Sequence, residues 1–130
     1  MSKSNSGPVT GLQLDVLRAL WAAGRASASQ VHETLSKHRQ LAPTTVATLL
    51  KRLEKRELVT HDREGRQHMF RALVTEESVV TQTLDQVTDE VFSGDVTAFA
   101  AQLLARKDVK ADDLAKIRTL LESRERELEE

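Results

Sequence analysis

The sequence predicts a mainly α protein in two parts: three helices and a β-hairpin, followed by three further helices. Three observations carry that prediction. Apolar residues recur at helical spacing in six separate stretches. One stretch between them, residues 58–73, alternates instead and folds about a Glu64-Gly65 pair. Charge also changes sign where the two parts meet. Residues 1–75 hold 12 Lys and Arg against 6 Asp and Glu, whereas residues 76–130 hold 7 against 14.

Residues 1–8 are small and polar and are expected to fray. Thr10 and Gln13 read as a capping box, in which each side chain satisfies the other residue's free amide. Val9 and Leu14 occupy the staple positions beside it. Leu14, Leu17, Leu20 and Trp21 give the first helix its apolar stripe, and Gly24 should end it. Ser27 and Gln30 form a second capping box, ahead of Val31 and Leu35 in a shorter helix. Pro43 opens the third helix at the first helical position, where a missing N–H does no harm. Ala42 before it is a weak cap, so another group must fix that turn. In the hairpin, Gly65 can take the positive φ of a tight turn. Phe70, Ala72 and Val74 alternate with polar or longer side chains, as in a half-buried strand.

Thr75 caps a fourth helix whose first turn carries Glu76 and Glu77, a favourable place for acids. Val80, Leu84, Val87 and Val91 then follow a spacing close to a heptad seam, until Ser93-Gly94-Asp95 breaks it. A short apolar helix follows (Val96, Phe99, Leu103, Leu104), and the last helix carries Leu114, Ile117, Leu121 and Leu128. About 55 residues make a poor independent core. Val80, Leu84, Val87, Val91, Leu114, Ile117 and Leu121 are therefore expected to meet a second copy of the chain; folding back onto the first part is the alternative. The domains so read are residues 9–75 and a three-helix dimerisation domain, residues 76–130.

Composition narrows the function classes. Without cysteine there is no disulfide, no thiolate metal site and no Cys nucleophile, which is compatible with the cytoplasm. No apolar run approaches the roughly 18 residues needed to cross a bilayer, so no membrane insertion is expected. MSKSNSGPV also lacks the apolar stretch of a signal peptide. Nucleotide-binding glycine patterns and HExxH are absent. The carboxylates of the second part sit in helix first turns and in a charged tail. His61 and His68 can meet across the hairpin, but no carboxylate joins them at metal-ligand spacing. Nothing here implies an enzyme, a cofactor or a metal.

The third helix is the informative one. Val46, Leu49, Leu50 and Leu53 share its core-facing side. With Val46 at zero and about 100° per residue, Thr44, Lys51, Thr48, Lys55 and Arg52 fall at roughly 140° to 240°. That back face holds only hydroxyls and cations, whereas a solvated face usually mixes signs. Two small helices before such a helix form the layout of a helix-turn-helix, and the hairpin adds a wing. Thr44, Thr45 and Thr48, near the N-terminus, are the expected readers of base edges in double-stranded DNA. Lys51, Arg52 and Lys55 are the expected phosphate clamps. Arg63 and Arg66 flank the wing turn, where backbone or minor-groove contact is expected. A winged-helix module that binds protein rather than specific DNA is the alternative.

LQLDVLRALW, SQVHETL, LAPTTVATLLKRLEKRELV and GRQHMFRALVTEES, taken together, resemble the penicillinase-repressor group of β-lactamase, methicillin-resistance and copper-responsive repressors. The resemblance spans about residues 9–121 and is most specific in TTV-x-T-x-L-x-RL and in the GR-x-x-x-aromatic strand. It implies a winged helix-turn-helix, a helical dimerisation domain and a cytoplasmic homodimer that represses transcription from a palindromic operator. By position, Thr44, Thr45 and Thr48 match recognition-helix residues. Arg52 matches an arginine that supports the DNA interface, and Arg66 matches the wing. Phe70 stands where many members have Tyr. The resemblance also implies a membrane-bound sensor protease as partner, cutting an Asn-Phe bond after the glycine break. Here that stretch reads VTAFAAQLLA, without Asn-Phe, and the cysteine cluster of the copper-responsive members is absent. Lys110 replaces the small capping residue expected before the last helix.

Overall fold

The computed structural model describes residues 8, 9 and 11–130. The Thr10 capping box and most of the segment expected to fray lie outside the described residues. The chain separates into two compact units, one ending at Gln86 and the other running from Val87 to Glu130. The division falls one helix further on than the 75/76 boundary that charge suggests.

The first unit contains α1 (Gly11–Ala23), β1 (Ala26–Ser27), α2 (Ala28–Ser36), α3 (Pro43–Lys55), β2 (Val59–Glu64), β3 (Gln67–Ala72) and α4 (Glu76–Gln86). Its core is aliphatic. Leu17 and Leu20 of α1, Val31 of α2, and Val46, Leu50 and Leu53 of α3 are fully enclosed with Val59 of β2. Burying each such side chain stabilises the fold by about 1.5–3 kcal/mol. Gly24, at φ 82°, ends α1 as expected, its N–H bonded to Leu20 O at 2.8 Å. Ser27 and Gln30 make the expected reciprocal cap, with Ser27 N–H donating to Gln30 Oε1 and Gln30 N–H to Ser27 Oγ.

The sequence predicts two strands; the sheet has three, in the order β1-β3-β2, with antiparallel pairing throughout. Ala26 pairs with Phe70 and Ser27 with Met69. A two-residue strand running straight into a helix carries no alternation, so periodicity cannot reveal it. Helix α4 joins this unit for two reasons. Val79 is buried in its core, and the Trp21 indole N–H donates to Val74 O at 2.8 Å, holding the approach to the helix against α1. Thr75 caps α4 as expected: Ser78 N–H donates to Thr75 Oγ1 at 3.0 Å.

The second unit comprises a π-helical turn (Val87–Val91), α5 (Val96–Leu104) and α6 (Ala111–Glu129). Heptad spacing predicts α-helix through Val91. Instead the Phe92 N–H reaches back to Val87 O at 3.2 Å, a wider turn than an α-helix makes. Ser93 at φ 51° and Gly94 at φ 82° then reverse the chain, and Asp95 Oδ1 accepts the Ala98 N–H to start α5. Phe92 and Phe99 stack with centroids 5.0 Å apart. Between the helices, the Arg106 guanidinium beside Asp108 holds its carboxyl below the usual carboxylate range. Lys110 offers no side-chain cap, but its backbone N–H donates to Asp113 Oδ2 at 3.0 Å. Neither α5 nor α6 buries a single side chain within the unit. No described helix is long and apolar enough to cross a membrane.

Candidate nucleic-acid interface

The candidate surface is built on α3. Val46, Leu49, Leu50 and Leu53 are buried, so the helix cannot rotate without exposing them. Its weak cap is real: Ala42 makes no side-chain cap bond. The turn before it is fixed from α2, where His32 Nε2 lies 2.7 Å from Leu41 O and donates to it. Thr44, Thr48, Lys51, Arg52 and Lys55 are exposed on the opposite side and Thr45 is half-buried. The Thr48 hydroxyl donates to Thr44 O at 2.9 Å, so its proton is used within the helix.

The wing is β2, a turn with Gly65 at φ 63°, and β3. Arg63 and Arg66 are exposed on either side of that turn. Glu64 between them is engaged by Arg25, whose guanidinium is 3.0 Å from Glu64 Oε2. Among the described residues, ion pairs use Arg18, Arg25, Arg39, His61, Arg106, Lys116 and Arg124. Lys51, Arg52, Lys55, Arg63 and Arg66 are in none of them. Arg52 and Lys55 also sit in the last turn of α3, where cations suit the helix dipole. That explains two of the five cations and leaves three.

One relationship adds to the sequence reading. His61 and His68 do meet across the hairpin, with ring centroids 4.5 Å apart. Glu54 of α3 approaches His61 Nδ1 at 2.6 Å. Spacing along the chain could not reveal it, because the partner comes from the helix rather than the hairpin. Among the described residues no group of three or more His, Asp or Glu side chains is disposed to hold a metal ion.

The residues assigned to the helical seam are largely uncovered. Val80 and Leu84 of α4 are 51% and 49% exposed, and Leu114 and Leu121 of α6 are 41% and 58% exposed. Val91 is exposed, while Val87 and Ile117 are half-buried.

The model of the penicillinase repressor family matches residues 9–123. The chain belongs to that family. Among curated family members, the methicillin resistance regulatory protein MecI of Mammaliicoccus sciuri is 21% identical, over 87% of this chain and 92% of MecI. The penicillinase repressor of Bacillus licheniformis is 20% identical over 88% of this chain and 89% of its own length. The transcriptional regulator BlaI of Mycobacterium tuberculosis (strain CDC 1551 / Oshkosh) is 43% identical over 60 residues, 45% of this chain and 44% of that one. In three dimensions, the DNA-binding domain of the repressor BlaI superposes with a TM-score of 0.51 at 28% identity, covering 58% of this chain and 90% of the domain. A mutant MarR from E. coli, at 18% identity and a TM-score of 0.53, shares the fold over 88% of this chain and 76% of its own. The penicillinase-repressor homologue described here is thus a mainly α protein whose first unit is a winged helix.

Proposed function

We propose that the chain is a homodimeric transcriptional repressor that binds a pseudo-palindromic operator through α3 and the wing. One observation carries the reading: five cations on α3 and the wing turn lack an ion-pair partner among the described residues. A protein that leaves cations uncompensated on one helix and an adjoining turn is prepared for a polyanion, whose condensed counterions are released on contact. The family supports the same reading, since two of its relatives are named as penicillinase repressors.

In this reading α3 lies in the major groove. Thr44, Thr45 and the Thr48 methyl meet base edges, and Lys51, Arg52 and Lys55 meet phosphates. Arg63 and Arg66 hold the flanking backbone or minor groove. The second unit, with no side chain of α5 or α6 buried, supports covering by a second copy, which would bring Val80, Leu84, Val87, Val91, Leu114, Ile117 and Leu121 into a shared core. Two symmetric copies read two half-sites, hence the palindrome. Bound over a promoter in the cytoplasm, the dimer excludes transcription. A sensor protease acting on this chain needs a bond other than Asn-Phe, which α5 does not contain.

Selection of bound fragments from random DNA with the purified protein tests this directly. A recovered palindrome is the expected result, and Lys51→Ala then weakens binding to every sequence and lowers the salt slope by about one. Recovery of no motif, with equal retention of all duplexes at moderate salt, overturns specific repression.

A further inference from the structure

An acid on the helix that meets DNA calls for a reason, because its charge opposes binding. Glu54 lies on α3, at roughly 80° from Val46, on the flank between the core side and the cationic side. Its carboxylate is 2.6 Å from His61 Nδ1, and the two side chains are about a third exposed (32% and 33%). The His61 ring stacks on His68 of β3 at 4.5 Å with an 18° tilt and leans on Phe70 at 5.2 Å. Phe70 is buried and pairs with Ala26 of β1. A line of contacts therefore runs from the last turn of α3 into the wing. Past Val59 and Thr60, by contrast, β2 turns outward, and Asp62, Arg63 and Glu64 are all exposed.

We infer that Glu54 and His61 form a positioning strut, which sets the wing at the angle where Arg63 and Arg66 engage DNA together with α3. The inference rests on the DNA-binding reading above. Its physical basis is preorganisation: a wing already held at its binding angle loses less freedom on contact, so its cations contribute more of their attraction to affinity. Neither Glu54 nor His61 needs to touch DNA. The charged and titratable groups near the joint are consistent with a strut. Glu54 comes from α3 and His68 from β3, and Arg63 lies two residues along β2 from His61, opposite His68 in register. Further from the joint, Arg25 engages Glu64.

The strut makes a prediction opposite in sign to plain electrostatics. Removing a negative charge from a DNA-binding helix should tighten binding. Glu54→Gln, which keeps an oxygen for the imidazole N–H, should bind a duplex recovered by the selection as tightly as the parent or more so. Glu54→Ala, which loses the contact, should instead bind about 3- to 10-fold more weakly, at an affinity scale where each tenfold is 1.4 kcal/mol. The Arg66→Ala substitution should then cost severalfold in the parent and almost nothing in the Glu54→Ala background, since a swinging wing has little to lose. His61→Phe, which keeps a ring against His68, should repeat the Glu54→Ala result and guards against a folding defect in either variant.

A measurement without DNA separates the strut from the function. Amide hydrogen exchange of residues 61–68 should quicken in Glu54→Ala and His61→Phe but not in Glu54→Gln, while the core of α1 and α3 stays protected. Unchanged exchange in the wing, or equal DNA affinity of Glu54→Ala and Glu54→Gln with an unaltered cost of Arg66→Ala, overturns the inference. If no variant, the parent included, prefers any duplex, the DNA reading fails while the exchange data still decide the strut.

Discussion

Arg25, in the turn after α1, holds Glu64 at the tip of the wing with its guanidinium 3.0 Å from the carboxylate. The two are 39 positions apart in sequence, and the contact neutralises the one acid between Arg63 and Arg66. The pair is well exposed, so its contribution to stability is small, about 0–1 kcal/mol. Its larger consequence is the local field at the wing tip. Arg25→Ala should weaken DNA binding about 2- to 5-fold at low salt, a loss of ~1 kcal/mol or less. Adding Glu64→Gln to it should restore affinity, and the difference should shrink as salt is raised. Fluorescence anisotropy of a labelled duplex at two ionic strengths would read this; equal affinities of parent and Arg25→Ala at low salt would contradict it.

Thr48 offers a sharper test of base reading than a simple alanine change. Because its hydroxyl proton is spent on Thr44 O, Thr48 can meet a base only through its methyl or as a hydrogen-bond acceptor. Thr48→Val keeps a methyl there and should retain the base preference at its position. Thr48→Ser keeps the hydroxyl, loses the methyl, and should relax that preference by about 1 kcal/mol per half-site. Reselection from random DNA with each variant distinguishes the two. A preference lost in Val but kept in Ser would assign the reading to the hydroxyl instead.

Core integrity should depend heavily on the inner face of α3. Leu53 is fully enclosed and lies one residue before Glu54. Leu53→Ala should destabilise the protein by about 2–5 kcal/mol through lost burial and the cavity left behind. The midpoint of urea unfolding should fall without a large change in slope. Ser27→Ala should cost less, about 1 kcal/mol, since it removes one cap.

Assembly should respond to the uncovered apolar positions. Leu121→Glu puts a charge where a second copy is proposed to pack, and should convert a dimer into monomers in sedimentation at micromolar concentration. Leu128→Glu, 71% exposed near the end of α6 and outside the proposed seam, is the comparison and should leave the sedimentation coefficient unchanged. A monomeric parent protein, or a dimer indifferent to Leu121→Glu, would overturn the proposed seam.

Much of the first unit was legible because its signals are local. Capping boxes, a glycine stop and 3.6-residue periodicity all act within a few residues, and Ser27, Gly24 and the buried stripe of α3 behave as that logic requires. What stayed hidden acts through space. The group that fixes the uncapped start of α3 is His32, nine positions before its acceptor Leu41. The carboxylate beside the histidine pair comes from the helix, not the hairpin. The third strand is too short to have a period. The π-helical turn is a different kind of miss: heptad spacing is satisfied by Val87 and Val91, yet the backbone widens there, which apolar spacing alone does not encode.

The two-residue strand β1 also bears on what the wing does not do. With β1 on one side, β3 is the central strand, and the sheet has only two free borders. One of them is too short to template another chain. The other, β2, reads Val-Thr-His-Asp-Arg-Glu, and its outer half is charged. Short borders and charged borders are the usual protections against strands of separate molecules joining. Wings of neighbouring copies can therefore lie side by side without fusing into a continuous sheet.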